Sequence, residues 1–161
     1  TNLEINNNIN LIEVETAEEM FQSTLKSLPA DVAIFSAAVC DYKVKEASRI
    51  KIKKKDEISL ELEKNVDILD YVSNHNSLRP ELVVGFAAET NDLENYAYKK
   101  LSEKNCDWIV ANDVSNESIG FDSDFNEVSI LYKDKKIEKL KYKSKSEISD
   151  ELVEKIIDHL N

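Results

Sequence analysis

Four lysines within five positions, Lys51, Lys53, Lys54 and Lys55, stand interleaved with Ile50 and Ile52 in a 161-residue chain whose formal net charge is -11. Ammonium groups concentrated in this way suit one chemistry in particular. They can hold a phosphate and stabilise negative charge as it builds on phosphorus. A solvated edge strand would show the same letters. Lys100 and Lys104 form a second pair, spaced i, i+4 on one face of a helix. Taken alone, that pair reads equally as complementation of the helix dipole. Lys99 points about a hundred degrees away from Lys100 and reads as surface.

Other chemistries find no footing. No GxGxxG, GxxxxGK[ST] or GxSxG occurs, and no Cys/His set has metal-ligand spacing. With two glycines in the chain, a glycine-rich phosphate cradle cannot be built from it. Cys40 and Cys106 lie far apart, no export signal is visible, and a reduced cytoplasmic setting is the expectation. His75 and His159 sit in polar contexts near helix ends and read as surface residues. The acidic balance argues against a general nucleic-acid binder, although a small anion can bind one local positive pocket, because screening confines the field to about 8–10 Å. No apolar run approaches the ~20 residues that span a bilayer.

The elements that must position these lysines follow from periodicity. "NLIEVE", residues 10 to 15, alternates and reads as a short strand. Thr16 and Glu19 make a capping box for a helix running to about Leu28, with Pro29 beyond. "DVAIFSAAV" (31–39), "ELVVGF" (81–86) and "DWIVAND" (107–113) are apolar runs of the kind buried on both faces of a parallel sheet. "VDILDYVSNH" reads as a helix. So does "NDLENYAYKKLSEKN", started by Asn91 with Glu94 and presenting Leu93, Tyr96, Ala97 and Leu101 on one face. Residues 127–142 read as an antiparallel hairpin turning at 133–136. The last helix, about 147–160, is capped by Ser144 with Glu147 and carries Ile148, Leu152, Ile156 and Leu160 on one stripe. The fold class expected is α/β, a mostly parallel sheet sandwiched by helices in a Rossmann-like three-layer arrangement.

In such sheets ligands bind beyond the carboxyl ends of the strands. Three ends carry small or polar residues: Ser36 to Asp41, Phe86 to Thr90 and Ala111 to Val114. They open a pocket or permit tight turns. The lysine stretch fits a protruding hairpin in which Lys51 pairs with Glu61, Ile50 with Leu62, Ile52 with Leu60 and Arg49 with Glu63. One face is then apolar and the other carries cross-strand opposite charges. A lone two-stranded hairpin is marginal in water, so its apolar face must be covered, either by the domain or by a second copy. A homodimer is therefore expected.

"AAVCDY" (37–42), "KIKK" (51–54), "KNVDIL" (64–69), "GFAAET" (85–90) and "DWIVANDVS…GFDSDFNEV" (107–128) occur in this order. Together they resemble the phosphopantothenoylcysteine synthetase family, the synthetase half of the bacterial bifunctional decarboxylase/synthetase. The resemblance implies a ligase that joins 4'-phosphopantothenate to L-cysteine through an acyl-cytidylate. CTP, or ATP in some relatives, is the co-substrate, with Mg²⁺ on its phosphates. It implies nucleotide contacts from Asp41, Lys51, Val66, Asp67, Ile68, Leu69, Phe86, Lys100 and Lys104. Lys51 would be catalytic, Phe86 would pack on the base, and Ala37 would lie beside the phosphopantothenate. Asn112 is a motif residue without an assigned role. A dimer through the lysine hairpin and a decarboxylase domain upstream are implied as well. Val66 stands where the family usually has Pro. Residues 1–161 are expected to be one synthetase domain that lacks the family's first strand and glycine-rich segment. The alternatives are a non-catalytic nucleotide-binding or dimerisation fragment, or an ATP-using relative.

Overall fold

The computed structural model describes residues 8–46, 50, 59–89, 91–113 and 123–161. The chain divides into two compact units, one of Thr1–Leu28 with Ala38–Ile68 and the other of Pro29–Ala37 with Leu69–Asn161.

The larger unit is built on a five-stranded sheet. Its strands are β1 (Val32–Phe35), β4 (Leu82–Glu89), β5 (Trp108–Asp113), β6 (Phe125–Tyr132) and β7 (Ile137–Ser144), in that spatial order. β1, β4 and β5 run parallel, while β6 and β7 add as an antiparallel hairpin, as their alternating letters predict. Successive side chains of a strand point to opposite faces, and both faces of this sheet are covered. Leu82, Val84, Trp108, Val110, Val128, Ile130 and Leu140 meet Ile148, Leu152 and Ile156 of α4 (Lys145–Leu160) on one side. Val83, Ala87, Ile109, Ala111 and Leu131 meet Leu69 of α2 (Ile68–Ser73) and Ala97 and Leu101 of α3 (Leu93–Lys104) on the other. The three layers are those expected. Each of the three buried α4 side chains contributes about 1.5–3 kcal/mol through apolar burial.

Helix starts follow local chemistry. Thr16 and Glu19 form the capping box of α1 (Ala17–Lys26), with Glu19 N–H donating to Thr16 Oγ1 at 3.1 Å. Ser144 and Glu147 do the same for α4. The box expected from Asn91 and Glu94 does not form. Asp92 takes the cap position with φ at 48°, so Glu94 falls one place too early. Asn95 Nδ2 donates instead to the Asp92 carboxylate at 2.7 Å. Two further expectations are corrected. Residues 10–15 form no strand, because an alternating run needs a ladder partner and, among the described residues, it has none. β1 is not buried on both faces. It is an edge strand of four residues, and Ile34 is 47% exposed.

The smaller unit contains a two-stranded antiparallel ladder, β2 (Tyr42–Val44) with β3 (Leu62–Lys64). Its register differs from the expected one. Leu62 pairs with Val44 and Glu63 with Lys43, and Glu61 O accepts from Lys45 N–H. The shift is six residues, an even number, so each residue keeps its face. Lys43–Glu63 (3.4 Å) and Lys45–Glu61 (3.2 Å) form the charged side, and Tyr42, Val44 and Leu62 form the apolar side. Lys51 and Lys53–Lys55 lie outside the described residues.

A charge clasp closes the amino ends of β4 and β5. Asp107 accepts from Val83 N–H (2.8 Å), Arg79 Nη2 (2.9 Å) and Lys133 Nζ (2.9 Å), and Arg79 also donates to the carbonyls of Ser73, Pro80 and Asn105. Burial alone would raise the Asp107 carboxyl's pKa. These donors outweigh it and hold the pKa below the ordinary 3.8. A depressed folded value contributes stability that is present above the unfolded pKa and lost as pH falls through the folded one. Asp107→Ala should cost about 2–3 kcal/mol, below the range for fully buried pairs because the site is partly open. Its loss of unfolding midpoint, measured by circular dichroism, should be full at pH 7 and shrink as pH falls from about 4, the ordinary value of an unfolded Asp carboxyl, through the lower folded one.

Candidate functional site

The parallel ladders align three strand ends. Phe35 pairs with Gly85, Ala87 with Ala111, Ala88 with Asn112 and Glu89 with Asp113, so β1, β4 and β5 finish toward the same edge of the sheet. This is the edge at which open α/β sheets bind ligands.

Of the residues expected there, the larger unit carries Ala37, Leu69, Phe86, Lys100 and Lys104. Ala37 is exposed, two residues past the end of β1. Phe86 is half-buried and packs against the cluster under α4. Lys100 is brought directly to it, since its Nζ donates to the Phe86 carbonyl at 2.8 Å. The dipole reading of Lys100 is therefore incomplete, because the side chain reaches the sheet. A carbonyl partner leaves the ammonium charge uncancelled, and among the described residues no carboxylate pairs with it. By contrast, Lys99, Lys133, Lys139 and Lys155 are each held by a carboxylate. Leu69 comes close to the same strand. A Cβ built on Gly85 would lie 2.8 Å from Leu69 Cδ2 and 2.9 Å from Ile109 Cδ1. Glycine thus lets the Leu69 side chain of α2 lie close against β4. Lys104 lies on α3, half-buried, and is the last residue of the helix.

The smaller unit carries Asp41, Val66, Asp67 and Ile68. Asp41 immediately precedes β2, and its carbonyl accepts from Asn65 N–H at 2.8 Å. The two motif segments are therefore neighbours at the end of the ladder. Val66 and Asp67 are exposed and lead into α2, while Ile68 is buried. The expected catalytic residue, Lys51, lies outside the described residues.

Two features were not assigned from sequence. The Asn112 side-chain oxygen, at the carboxyl end of β5, is buried and accepts no hydrogen bond among the described residues. An unsatisfied buried acceptor is costly, by about 1–3 kcal/mol, unless a ligand or water meets it. Its position after an apolar run was the available signal. The other is Asn65, which bridges both segments of the smaller unit. Cys106 is fully buried beside β5, and burial pushes its thiol up to about 11, so it is an inert core side chain. Among the described residues no group of three or more His, Cys, Asp or Glu could hold a metal ion, and no helix is long and apolar enough to cross a membrane.

A three-layer α/β sheet with ligand-ready strand ends and a paired-strand insertion defines the class. Over residues 1–160 the chain matches the family described as the DNA/pantothenate metabolism flavoprotein C-terminal domain, and it belongs to that family. It is 44% identical over 159 residues to the coenzyme A biosynthesis bifunctional protein CoaBC of Haemophilus influenzae, covering 98% of this chain and 39% of that protein. It is 42% identical over 147 residues to the CoaBC of Bacillus subtilis, covering 90% and 36%. The chain thus spans less than two-fifths of the length of these relatives. Among solved structures it is similar to the C-terminal domain of a CoaBC, at a TM-score of 0.78 and 34% identity over 99% of this chain and 72% of that one. A DNA/pantothenate metabolism flavoprotein from Streptococcus pneumoniae shares the fold at a TM-score of 0.73.

Gly85→Ala should lower stability by about 1 kcal/mol, since the methyl group forces the δ-carbons of the buried Leu69 and Ile109 side chains to shift. Calorimetric melting should show the loss, and an unchanged midpoint would mean that α2 sits farther from β4 than described.

Proposed function

We propose that this chain is the synthetase part of a phosphopantothenate–cysteine ligase in coenzyme A biosynthesis, using CTP. The observation that carries this reading is the 44% identity to a CoaBC over 98% of the chain. The geometry supports it. Ala87 and Ala88 stand near the end of β4, the Lys100 ammonium sits at the Phe86 carbonyl, and the buried Asn112 side-chain oxygen has no donor among the described residues. Residues 1–161 form one synthetase domain in this reading, and its two compact units are parts of that domain.

The substrate carboxylate attacks the α-phosphate of CTP, pyrophosphate leaves and an acyl-cytidylate forms. The cysteine amine then attacks the acyl carbon and CMP leaves. The chain's own task in the first step is electrostatic. Lys51 stabilises charge developing on the α-phosphate, while Lys100 and Lys104 hold the nucleotide. Asp41 and the stretch Val66 to Leu69 line the nucleotide, Phe86 packs on the base, and Ala37 lies beside the phosphopantothenate. Mg²⁺ enters on the nucleotide's phosphates, and no step here is routed through it. In the second step the protein orients the amine and excludes water. The apolar side of the β2–β3 ladder, with Leu62 58% exposed, is covered by a second copy in a homodimer. A decarboxylase domain precedes the chain, and the protein works in the cytoplasm, where Cys40 stays a free thiol.

A second reading is a nucleotide-binding and dimerisation module without turnover. ATP in place of CTP is the other variant.

Titration calorimetry with CTP, ATP and a short oligonucleotide separates these readings. CTP should bind, and the oligonucleotide should not. In the full-length protein, pyrophosphate release should require phosphopantothenate. Lys51→Gln should retain the fold and lose about 10²–10³-fold in kcat, the usual cost of one oxyanion-stabilising group. Wild-type turnover in that variant would remove Lys51 from the mechanism.

A further inference from the structure

The β2–β3 ladder does not end where its strands end. Its last strand pair is Tyr42 with Lys64. Asn65 then adds two rungs. Its backbone N–H donates to the Asp41 carbonyl at 2.8 Å, and its side-chain Nδ2 donates to the Cys40 carbonyl at 2.7 Å. The second is made by a side chain, which reaches a carbonyl that the backbone pairing of the ladder leaves out. Antiparallel strands twist apart once their bonds stop. Asn65 thus fixes the spacing of the two segments as they leave the hairpin.

Both segments matter to the nucleotide in the function proposed above, on which this inference rests. Asp41 lies on one, and Val66, Asp67 and Ile68 follow directly on the other. The ladder engages the Asp41 carbonyl, so its backbone is held by a bond that does not use the carboxylate. Asn suits the position for its reach and its donor. Ala has no donor for the Cys40 carbonyl, and Gln is one methylene longer.

We propose that Asn65 is a positioning residue for the nucleotide. By pinning Cys40 and Asp41 to the chain entering α2, it keeps the two nucleotide-facing segments in register before the ligand arrives. A pre-ordered pair of segments loses less conformational freedom on binding.

The test uses the full-length protein with CTP and Mg²⁺ as the titrant, followed by steady-state kinetics. Asn65→Ala should weaken CTP binding about tenfold, the equivalent of roughly 1.4 kcal/mol. KM for CTP should rise by a similar factor, while KM for cysteine and the melting temperature hold. Asn65→Gln, which keeps the donor, should recover part of the loss. CTP affinity equal to wild type in Asn65→Ala would overturn the inference. So would a parallel loss of affinity for every substrate together with a lowered melting temperature, which would mark a merely structural role. If the unsubstituted protein binds no CTP, the nucleotide reading itself fails, a result distinct from either outcome in the variant.

Discussion

β4 is the strand that the rest of the larger unit depends on. It must satisfy hydrogen-bond ladders on both edges and bury side chains on both faces at once. Only a continuous apolar run meets both demands, and Leu82 to Ala87 supplies it, with Phe86 alone half-exposed. Once β4 is fixed, the positions of β1 and β5 follow from parallel register, and three strand ends are aligned. Its single glycine lets α2 approach, and its Phe86 carbonyl gives Lys100 an anchor. The Asp107 clasp completes the arrangement at the opposite end of the strands, where Arg79 and Lys133 meet one carboxylate between β4 and β5. The two ends are chemically unlike. One is closed by paired charge, and the other carries small side chains, a buried acceptor with no donor among the described residues and a lysine held by a carbonyl.

Much of this was legible in the letters because it is local or periodic. The three apolar runs, the 125–144 hairpin and the boxes at Thr16 and Ser144 depend on neighbours within four residues or on a period of two or 3.6. The errors have a common cause in partners that are distant in sequence. Residues 10–15 alternate correctly but find no strand to pair with. "DVAIFSAAV" has the composition of a central strand, yet strand order puts β1 at an edge, and order is not written in composition. The cap of α3 failed because Asp92 adopts a left-handed backbone, which moved the helix start by one residue and took Glu94 out of position.

The ladder register shows how an inference can be wrong in its pairs and right in its faces. Alternation fixes parity. It does not fix how long the connecting loop is. A slip of six residues therefore left the Lys–Glu side and the apolar side intact, whereas a slip of one would have exchanged them. The candidate site rests on the same kind of reading. The residues that carry charge or small size beyond strand ends could be named, because their chemistry is in their own side chains. Asn65 could not be given a role, because its contribution lies in the carbonyl it reaches, 25 residues away.

Charge placement gives these elements a common logic. In a strongly acidic chain an isolated lysine meets a carboxylate almost anywhere on the surface, and Lys43, Lys45, Lys99, Lys133, Lys136, Lys139, Lys143 and Lys155 each have one. Such pairs cancel locally and contribute little more than about 1 kcal/mol each when exposed. A lysine that donates to a backbone carbonyl behaves differently. The bond holds its direction, and its field reaches an incoming anion undiminished by a neighbouring carboxylate. Lys100 is placed in this way at β4, beside a strand end from which Ala87 and Ala88 keep bulk away. An acidic protein that binds a polyanion needs this separation, because overall repulsion must be overcome within the roughly 8–10 Å over which the field survives salt. Positive charge that is few in number, fixed in direction and uncancelled achieves that, whereas a general excess of lysine would attract nucleic acid as readily as a nucleotide.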